Sequence, residues 1–474
     1  MSKKSYKYLF KNIGLLTISS FGTKILSFIL VPIYTNYLTT SDYGTYDLYY
    51  TTISLLIPIL TLNIVEAVMR FSLDEKTDSK DVFIIGFRRL IYALLVLSCL
   101  VILNYTFNVI SIFNEYIIYF VLLFSGTLLY DFLSQFCRGL EKIKYVAIAG
   151  AINSITMLLL NVLFLVFFNL GLKGYFVANC IAFYLPILFL FFKLNIWKFF
   201  KKNRNEKLEK EMVKYSKPMI FNTIAWWINN VSDRYVVTWL CGVSDNGVYS
   251  VAYKIPSILN VFQTIFSQAW TISAVKEFNK ENERFYCKIY STYNCLLVLV
   301  CSILIIFDKL IAKLFFAKDF YMAWKYAPFL MISVIFGALS GFLGGIFSAV
   351  KNSKLYAKTT ILGAVLNIIF NIILVEYVGP IGAAISTLIS YSVVWIARLN
   401  TVKKYIDLNI NIKRDIVSYG LMIIQSSILL LQLNNYILFS IEGILFLIII
   451  VLYNTEIIKS FKYVGDFISK KGNK

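Results

Sequence analysis

The chain has 474 residues, of which 59% are hydrophobic and 15% charged, and it carries a formal charge of +20. Soluble domains hold roughly 25% charged residues, so a soluble globular protein is excluded, and with it the nucleic-acid partner that so basic a chain would otherwise suggest. The sequence contains no histidine, which removes imidazole acid–base chemistry, serine–histidine triads and histidine-ligated metals together.

Hydrophobic runs of 18 or more residues recur along almost the whole length, which predicts an all-α polytopic membrane protein. Leu, Ile and Phe dominate these runs without the strict polar alternation of an outer-membrane barrel. In chain order, spans are expected near 12–33, 45–69, 82–107, 112–136, 145–169 and 174–196. After a polar segment they resume near 218–240, 247–273, 285–307, 323–349, 356–376, 381–399, 415–433 and 436–455, fourteen in all. The opening MSKKSYKYLFKNIGLL is basic and then apolar, but no small-residue cleavage site follows, and Lys24 interrupts the run before it reaches Pro32. It therefore reads as a retained first helix rather than a removed signal.

Charge distribution tests this threading independently. With the N-terminus in the cytoplasm, inner segments and helix ends hold 38 of the 46 Lys and Arg residues. Outer segments hold five (Lys173, Lys309, Lys313, Lys318, Lys325), and Lys24, Arg234 and Lys254 lie inside spans. Short loops show such a bias when basic segments are retained inside, so both termini are expected in the cytoplasm. Four parts follow: a six-helix bundle over 1–197, a basic cytoplasmic linker over 198–217, a second six-helix bundle over 218–400, and two added helices with a basic tail over 401–474. The linker is expected to be solvated, with its basic residues against anionic headgroups. The seven cysteines show no C-x-x-C spacing and mostly lie in apolar runs, as buried small hydrophobes do. No cofactor or metal is implied.

The two bundles echo each other. SDYGTYDLYY at Ser41–Tyr50 returns as SDNGVYSVAY at Ser244–Tyr253, an offset of 203. Asp42-Tyr43-Gly44 and Asp245-Asn246-Gly247 suit a tight turn after the first helix of each half, and the aromatics that follow suit a membrane interface. NLGLKGYFVAN at Asn169–Asn179 resembles YVGPIGAAIST at Tyr377–Thr387 at an offset of 208, each with a G-x-x-G turn between fifth and sixth helices. Two echoes in the same order argue for duplication. Six spans precede the linker, so both halves enter the membrane in the same direction and the repeats are parallel.

A Lys or Arg at the centre of a membrane helix costs roughly 2.5–3.5 kcal/mol on insertion scales, and such residues generally face a water-filled cavity or a partner. Lys24 falls near mid-depth of the first span, while Arg234 and Lys254 fall in the outer half of the seventh and eighth. Their counterparts 203 residues away are Trp227, Val31 and Thr51, so the cations were placed separately in each half. A cavity between the halves holding several cations would draw in a phosphate or diphosphate; the alternatives are snorkelling or, for Arg234, a local pair with Asp233. Glu66 and Arg70, spaced i, i+4, read either as a simple ion pair or as a cytoplasmic gate. Asp131 and Glu442 are lone acids in apolar runs, and Asp131, nearer the duplicated core, is the candidate coupling acid.

LTTSDYGTYDLY, EAVMRFSLDE, SDRYVV and NGVYSVAYKIPS together resemble the Wzx-type oligosaccharide flippases, which share a superfamily with lipid II flippases and multidrug-and-toxin exporters. The resemblance runs from the N-terminus to about residue 400. It implies a V-shaped pair of six-helix bundles that carries an isoprenoid-diphosphate-linked oligosaccharide from the inner to the outer leaflet of a bacterial cytoplasmic membrane, by alternating access and without breaking a bond. It further implies that Lys24, Arg234 and Lys254 hold the diphosphate, with Glu66 and Arg70 at the inner end of the second span. Membrane lipids, polysaccharide polymerase and assembly proteins are the implied partners. The deep cations are fewer than lipid II flippases show, and the first span lacks the acid of many drug exporters. A membrane glycosyltransferase or polymerase would favour a large outer loop, yet the longest expected, around Phe307–Met322, is short.

Overall fold

The computed structural model describes residues 22 and 24–459 apart from 75, 201–204, 277–282, 351–352, 407 and 432. The start of the first expected span, four linker residues and the basic tail beyond 459 lie outside the described residues. The helices in chain order are α1 (24–37), α2 (Thr40–Leu60), α3 (Ile64–Ser72), α4 (Ser79–Phe107), α5 (Ile117–Gly139), α6 (Ile143–Asn161), α7 (Gly171–Leu194) and α8 (Glu206–Cys241). They continue as α9 (Val243–Ala252), α10 (Pro256–Lys276), α11 (Glu283–Ile306), α12 (Asp308–Phe315), α13 (Ala327–Ala349), α14 (Ser353–Val378), α15 (Pro380–Val402), α16 (Ile412–Leu430) and α17 (Asn435–Leu452).

Every one of the fourteen expected spans overlaps a helix. Among the described residues, nine helices are long and apolar enough to cross a bilayer, or ten if α2 and α3 count as one bent span. Charge explains part of the difference: α8 opens on seven charged residues within Glu206–Lys217, and α16 opens on Lys413, Arg414 and Asp415. In α4, α6 and α17 only 17% of the most apolar window is buried, so most of that surface is left for lipid. The chain is a multi-pass membrane protein.

Two compact units divide at Val231/Ser232, inside α8. In the first, α5 packs on α3 and α7, and α6 packs on α7. In the second, α13 packs on α10 and α15, and α14 packs on α15. These three packings recur in the same order in both units, as a duplication would give. α16 and α17 pack on α11 and have no counterpart in the first unit.

The repeated motifs take a different form from the one expected. Asp42-Tyr43-Gly44 is not a turn but the first turn of α2: Thr39 is its N-cap, its side chain accepts from the Asp42 N–H, and the Asp42 carboxylate accepts from the Thr39 N–H at 3.0 Å. This reciprocal capping box satisfies two donors that a helix start leaves open. Asp245-Asn246-Gly247 likewise lies in the first turn of α9. Val243 and Thr40 are 203 residues apart, so both helices start at the same register. Nor do the following tyrosines form an exposed belt. Tyr43 stacks on Tyr34 at 4.6 Å and Tyr46 meets Tyr175 edge-on at 4.5 Å inside the first unit.

The G-x-x-G echoes do form equivalent junctions. Gly171 and Gly379 sit at φ +55° and +68°, and α7 and α15 start from them. Their partners, Gly174 and Gly382, lie where the preceding segment comes closest. A Cβ on Gly174 would stand 2.7 Å from Leu170 Cβ, and one on Gly382 would stand 2.3 Å from the Leu374 carbonyl oxygen.

Backbone cannot step aside as a flexible side chain does, so Gly382→Ala is expected to destabilise the second unit by about 3 kcal/mol. Gly420→Ala, on a helix position with nothing within 4 Å of the added carbon, should match wild type or exceed it, since helical Ala is favoured over Gly. Thermal unfolding in detergent compares the two; equal midpoints would contradict the close approach.

Candidate functional site

Within the first unit the second span is broken. α2 and α3 meet at 63°, and between them Leu62 and Asn63 adopt left-handed backbone at φ 55° and 53°. Such conformations cost of order 1–3 kcal/mol for a non-glycine residue and persist where the surroundings enforce them. Pro58, inside α2, lacks the N–H that would close on the Ser54 carbonyl. The Thr61 N–H and hydroxyl both donate to the Ile57 carbonyl, at 3.0 and 2.6 Å, and the Asn63 N–H donates to the Pro58 carbonyl at 2.8 Å.

This break opens onto a cavity of about 310 Å³ bounded by Ser54, Thr61 and Asn63 at the break, Glu66 on α3, Thr127, Asp131 and Gln135 on α5, and Thr223 on the early part of α8. Thr127 Oγ1 and Gln135 Oε1 are buried and have no hydrogen-bond partner. The wall thus carries two carboxylates, several uncommitted oxygens and, among the described residues, no basic side chain. Oxygen atoms near the C-terminal end of a half-helix, whose dipole is negative, suit a monovalent cation or a proton.

Glu66 and Arg70 do not form the i, i+4 pair: Glu66 lines the cavity with Asp131 while Arg70 is exposed at the end of α3. Lys24 is exposed on α1. In the second unit, Asp233 is 2% exposed and accepts hydrogen bonds from the Tyr249 hydroxyl at 2.7 Å and from the Tyr253 hydroxyl. The Arg234 N–H donates to Asp233 at 3.0 Å, and its guanidinium lies 5.1 Å from the centre of the Tyr253 ring. Lys254 follows Tyr253 in the turn joining α9 to α10. The structure therefore brings Asp233, Arg234 and Tyr253 together, with Lys254 the next residue along the chain, and separately brings Glu66 and Asp131 to one cavity.

Residues 9–272 match the polysaccharide biosynthesis protein family, more than half of the chain and inclusive of both copies of the repeated decapeptide. The chain belongs to that family. A second match, to the MatE family, covers residues 218–373. Over 202 residues the chain is 25% identical to the probable low-salt glycan biosynthesis flippase Agl15 of Haloferax volcanii, covering 40% of this chain and 42% of that protein; it thus spans about two fifths of that relative's length. Among solved structures, it shares a fold with the lipid II flippase MurJ in an inward closed conformation (TM-score 0.69, 18% identity, 94% of this chain and 99% of that one). It also shares a fold with an inward-facing multidrug resistance MATE transporter of the MOP superfamily (TM-score 0.68, 15% identity, 80% and 96%).

In sequence, Arg398 has only the look of one more basic residue at a helix end. It is 2% exposed and donates to Thr359 Oγ1 at 3.0 Å, the Ser340 carbonyl at 2.8 Å and Thr360 Oγ1 at 2.9 Å, 4.2 Å from the centre of the Tyr356 ring. Gly344 leaves room for that ring, since a Cβ there would meet it at 2.5 Å. Also missed was a polar ladder in α14 and α15. Ser232 donates to Asn367 Oδ1 at 3.2 Å, Asn371 donates to the same oxygen at 3.0 Å, and Asn367 donates to Thr387 Oγ1 at 3.3 Å. Asn367 and Asn371, spaced i, i+4 in AVLNIIFNIIL, share one helix face, and that was the available signal.

The two acids so distinguished should respond differently to neutralisation. Asp233→Asn leaves an amide where two tyrosine hydroxyls now converge, and the unfolding midpoint should fall by the equivalent of about 2 kcal/mol. Asp131→Asn removes one of two like charges around one cavity and should leave the midpoint unchanged or higher. Thermal unfolding of the purified variants decides; the reverse order would mean that Asp131 is the structural acid.

Proposed function

We propose that the protein is a flippase, which moves an isoprenoid-diphosphate-linked oligosaccharide repeat unit from the inner to the outer leaflet for surface polysaccharide assembly. The observation that carries this reading is a cavity of about 860 Å³ in the second unit, where Phe266 of α10 and Phe285, Tyr293 and Leu296 of α11 form an apolar wall beside Lys288 and Lys459. That apolar wall suits the long hydrocarbon tail of an amphiphile; the two lysines share the cavity with Glu456, so the anionic head is assigned elsewhere. Family membership supports the polysaccharide part of the reading.

In this mechanism Lys24, Arg234 and Lys254 contact the diphosphate, the sugars occupy the polar interior, and the tail lies along the apolar wall and the bilayer. Alternating access carries the head across, and no bond is made or broken, so the protein is a transporter rather than an enzyme. Asp131, with Glu66 across the same cavity, takes up the coupling proton or cation, and Glu66 and Arg70 belong to the inner gate. This reading puts both termini on the cytoplasmic side of a bacterial cell membrane.

Cells lacking the protein should hold lipid-linked glycan inaccessible to added protease-free glycosidase at the cell surface, and wild type should release it. Lys24→Ala should lower surface glycan by at least about tenfold, as loss of a charge-assisted contact to an anion implies. Asp131→Asn should abolish the dependence of transport on an ion gradient, with Asp131→Glu restoring it. Undiminished surface glycan in the deletion, with no second carrier, would sink this reading.

A drug exporter is the second reading, favoured by the MatE match over 218–373 and by the two carboxylates around the first unit's cavity. It predicts that the deletion sensitises cells to cationic drugs while surface glycan stays normal.

A further inference from the structure

The segment entering α8 is not the solvated linker that its composition suggests. The Asn205 side-chain amide donates to Asp81 at 3.0 Å, and its Oδ1 accepts from the Leu208 N–H at 3.1 Å, which caps the helix start. Glu209, 6% exposed, accepts from Arg89 of α4 at 2.8 Å and lies 3.7 Å from Arg88. The first turns of α8 are thereby fastened to the bundle.

Beside this fastening lies a cavity of about 390 Å³ lined by Arg89, Glu206, Glu209, Val213 and three lysines, Lys210, Lys214 and Lys217. The lysines recur at spacings of four and three, so they share one face of α8. All three are exposed and make no ion pair with any described residue. Like charges one turn apart destabilise a helix, and Glu209 is already occupied by the two arginines. Arg89 Nε, buried at the same cavity, has no hydrogen-bond partner. Four cationic groups and two carboxylates, Glu206 and Glu209, thus line the space, which is net basic and holds the Arg89 Nε–H still to satisfy.

Depth selects the anion. α8 has 36 residues, about 54 Å at 1.5 Å per residue, against about 30 Å of hydrocarbon. Its charged first turns therefore stand outside the apolar layer. Trp197, Phe200 and Tyr215 are exposed on the neighbouring segments at 48%, 47% and 41%, and aromatic rings gather at the level of lipid headgroups. We propose that this pocket binds the phosphate of an acidic membrane lipid. The phosphate oxygens take the three ammonium groups and the Arg89 Nε, and the acyl chains remain in the bilayer beside the aromatics. Occupancy ties the start of α8, the helix within which the division between the two units falls, to the composition of the surrounding leaflet. The proposal does not depend on what the protein transports.

The test is native mass spectrometry of the purified full chain titrated with phosphatidylglycerol or phosphatidylcholine. Wild type should retain phosphatidylglycerol about tenfold more tightly than phosphatidylcholine. K210Q/K214Q/K217Q should lose that preference, and K214Q alone should lose part of it, in case the triple variant folds poorly; thermal unfolding in lipid-free detergent reports on folding. K207Q, at an exposed lysine of the same helix that does not line the cavity, should behave as wild type. Preference kept by the triple variant, or lost equally in K207Q, would overturn the site. Inorganic pyrophosphate is the second probe: binding of pyrophosphate by wild type without any preference for phosphatidylglycerol would assign the pocket to a soluble phosphate and overturn the lipid.

Discussion

Inside hydrocarbon, a backbone N–H or carbonyl finds no partner except the protein itself, so a membrane helix breaks only where it is walled by protein or faces water. The interruption between α2 and α3 is built around that constraint. Pro58 removes one donor, Thr61 brings two to a single carbonyl, and Asn63 turns its N–H back to Pro58. What these bonds leave uncommitted faces a cavity with polar walls, to which α5 contributes Thr127, Asp131 and Gln135 and α8 contributes Thr223. The break thus requires the cavity, and the cavity permits two carboxylates at a position where lipid would exclude them.

Duplication preserved geometry more strictly than chemistry. The helix starts at Thr40 and Val243 keep one register, and the Gly171 and Gly379 junctions keep one backbone form. The same tyrosine column meets different acceptors, however. Tyr46 donates to Asn179 at 2.9 Å in the first unit, whereas Tyr249, 203 residues later, donates to Asp233. The interruptions also moved: the first unit breaks after Leu60, the second already at Tyr253. Helix packing tolerates such exchanges because buried area and close approach decide the fold, whereas the polar positions are free to specialise in each copy.

The helical architecture was legible because hydrophobic length and charge asymmetry are collective signals, summed over twenty residues at a time. Local meanings were harder to read. Asp42 and Gly44 have turn composition, yet three residues from Thr39 the same aspartate completes a capping box, and composition cannot distinguish the two without knowing where the helix begins. Glu66 and Arg70 have the spacing of a pair, but the break at Leu62 and Asn63 reoriented α3 so that Glu66 joins Asp131 instead. Arg398 was overlooked because its partners are Thr359, Thr360 and a carbonyl, residues with no charge to flag them.

The segregation of charge within each unit constrains any transport cycle. In the first unit, Glu66 and Asp131 share a cavity whose wall carries no basic side chain among the described residues; Arg138, two turns further along α5, attracts Asp131 from outside that wall. In the second, the acid nearest Arg234 is Asp233, and it is turned toward two tyrosine hydroxyls. Tyrosines are neutral donors, so they hold the carboxylate in place without adding a cation that would compete for an anionic head. A carrier that must bind an anion at one site and a cation or proton at another needs this separation, because a wall that paired its own charges would bind neither ligand. Electrostatic specialisation of the two copies, rather than the shared fold, is therefore where specificity within this family has room to arise.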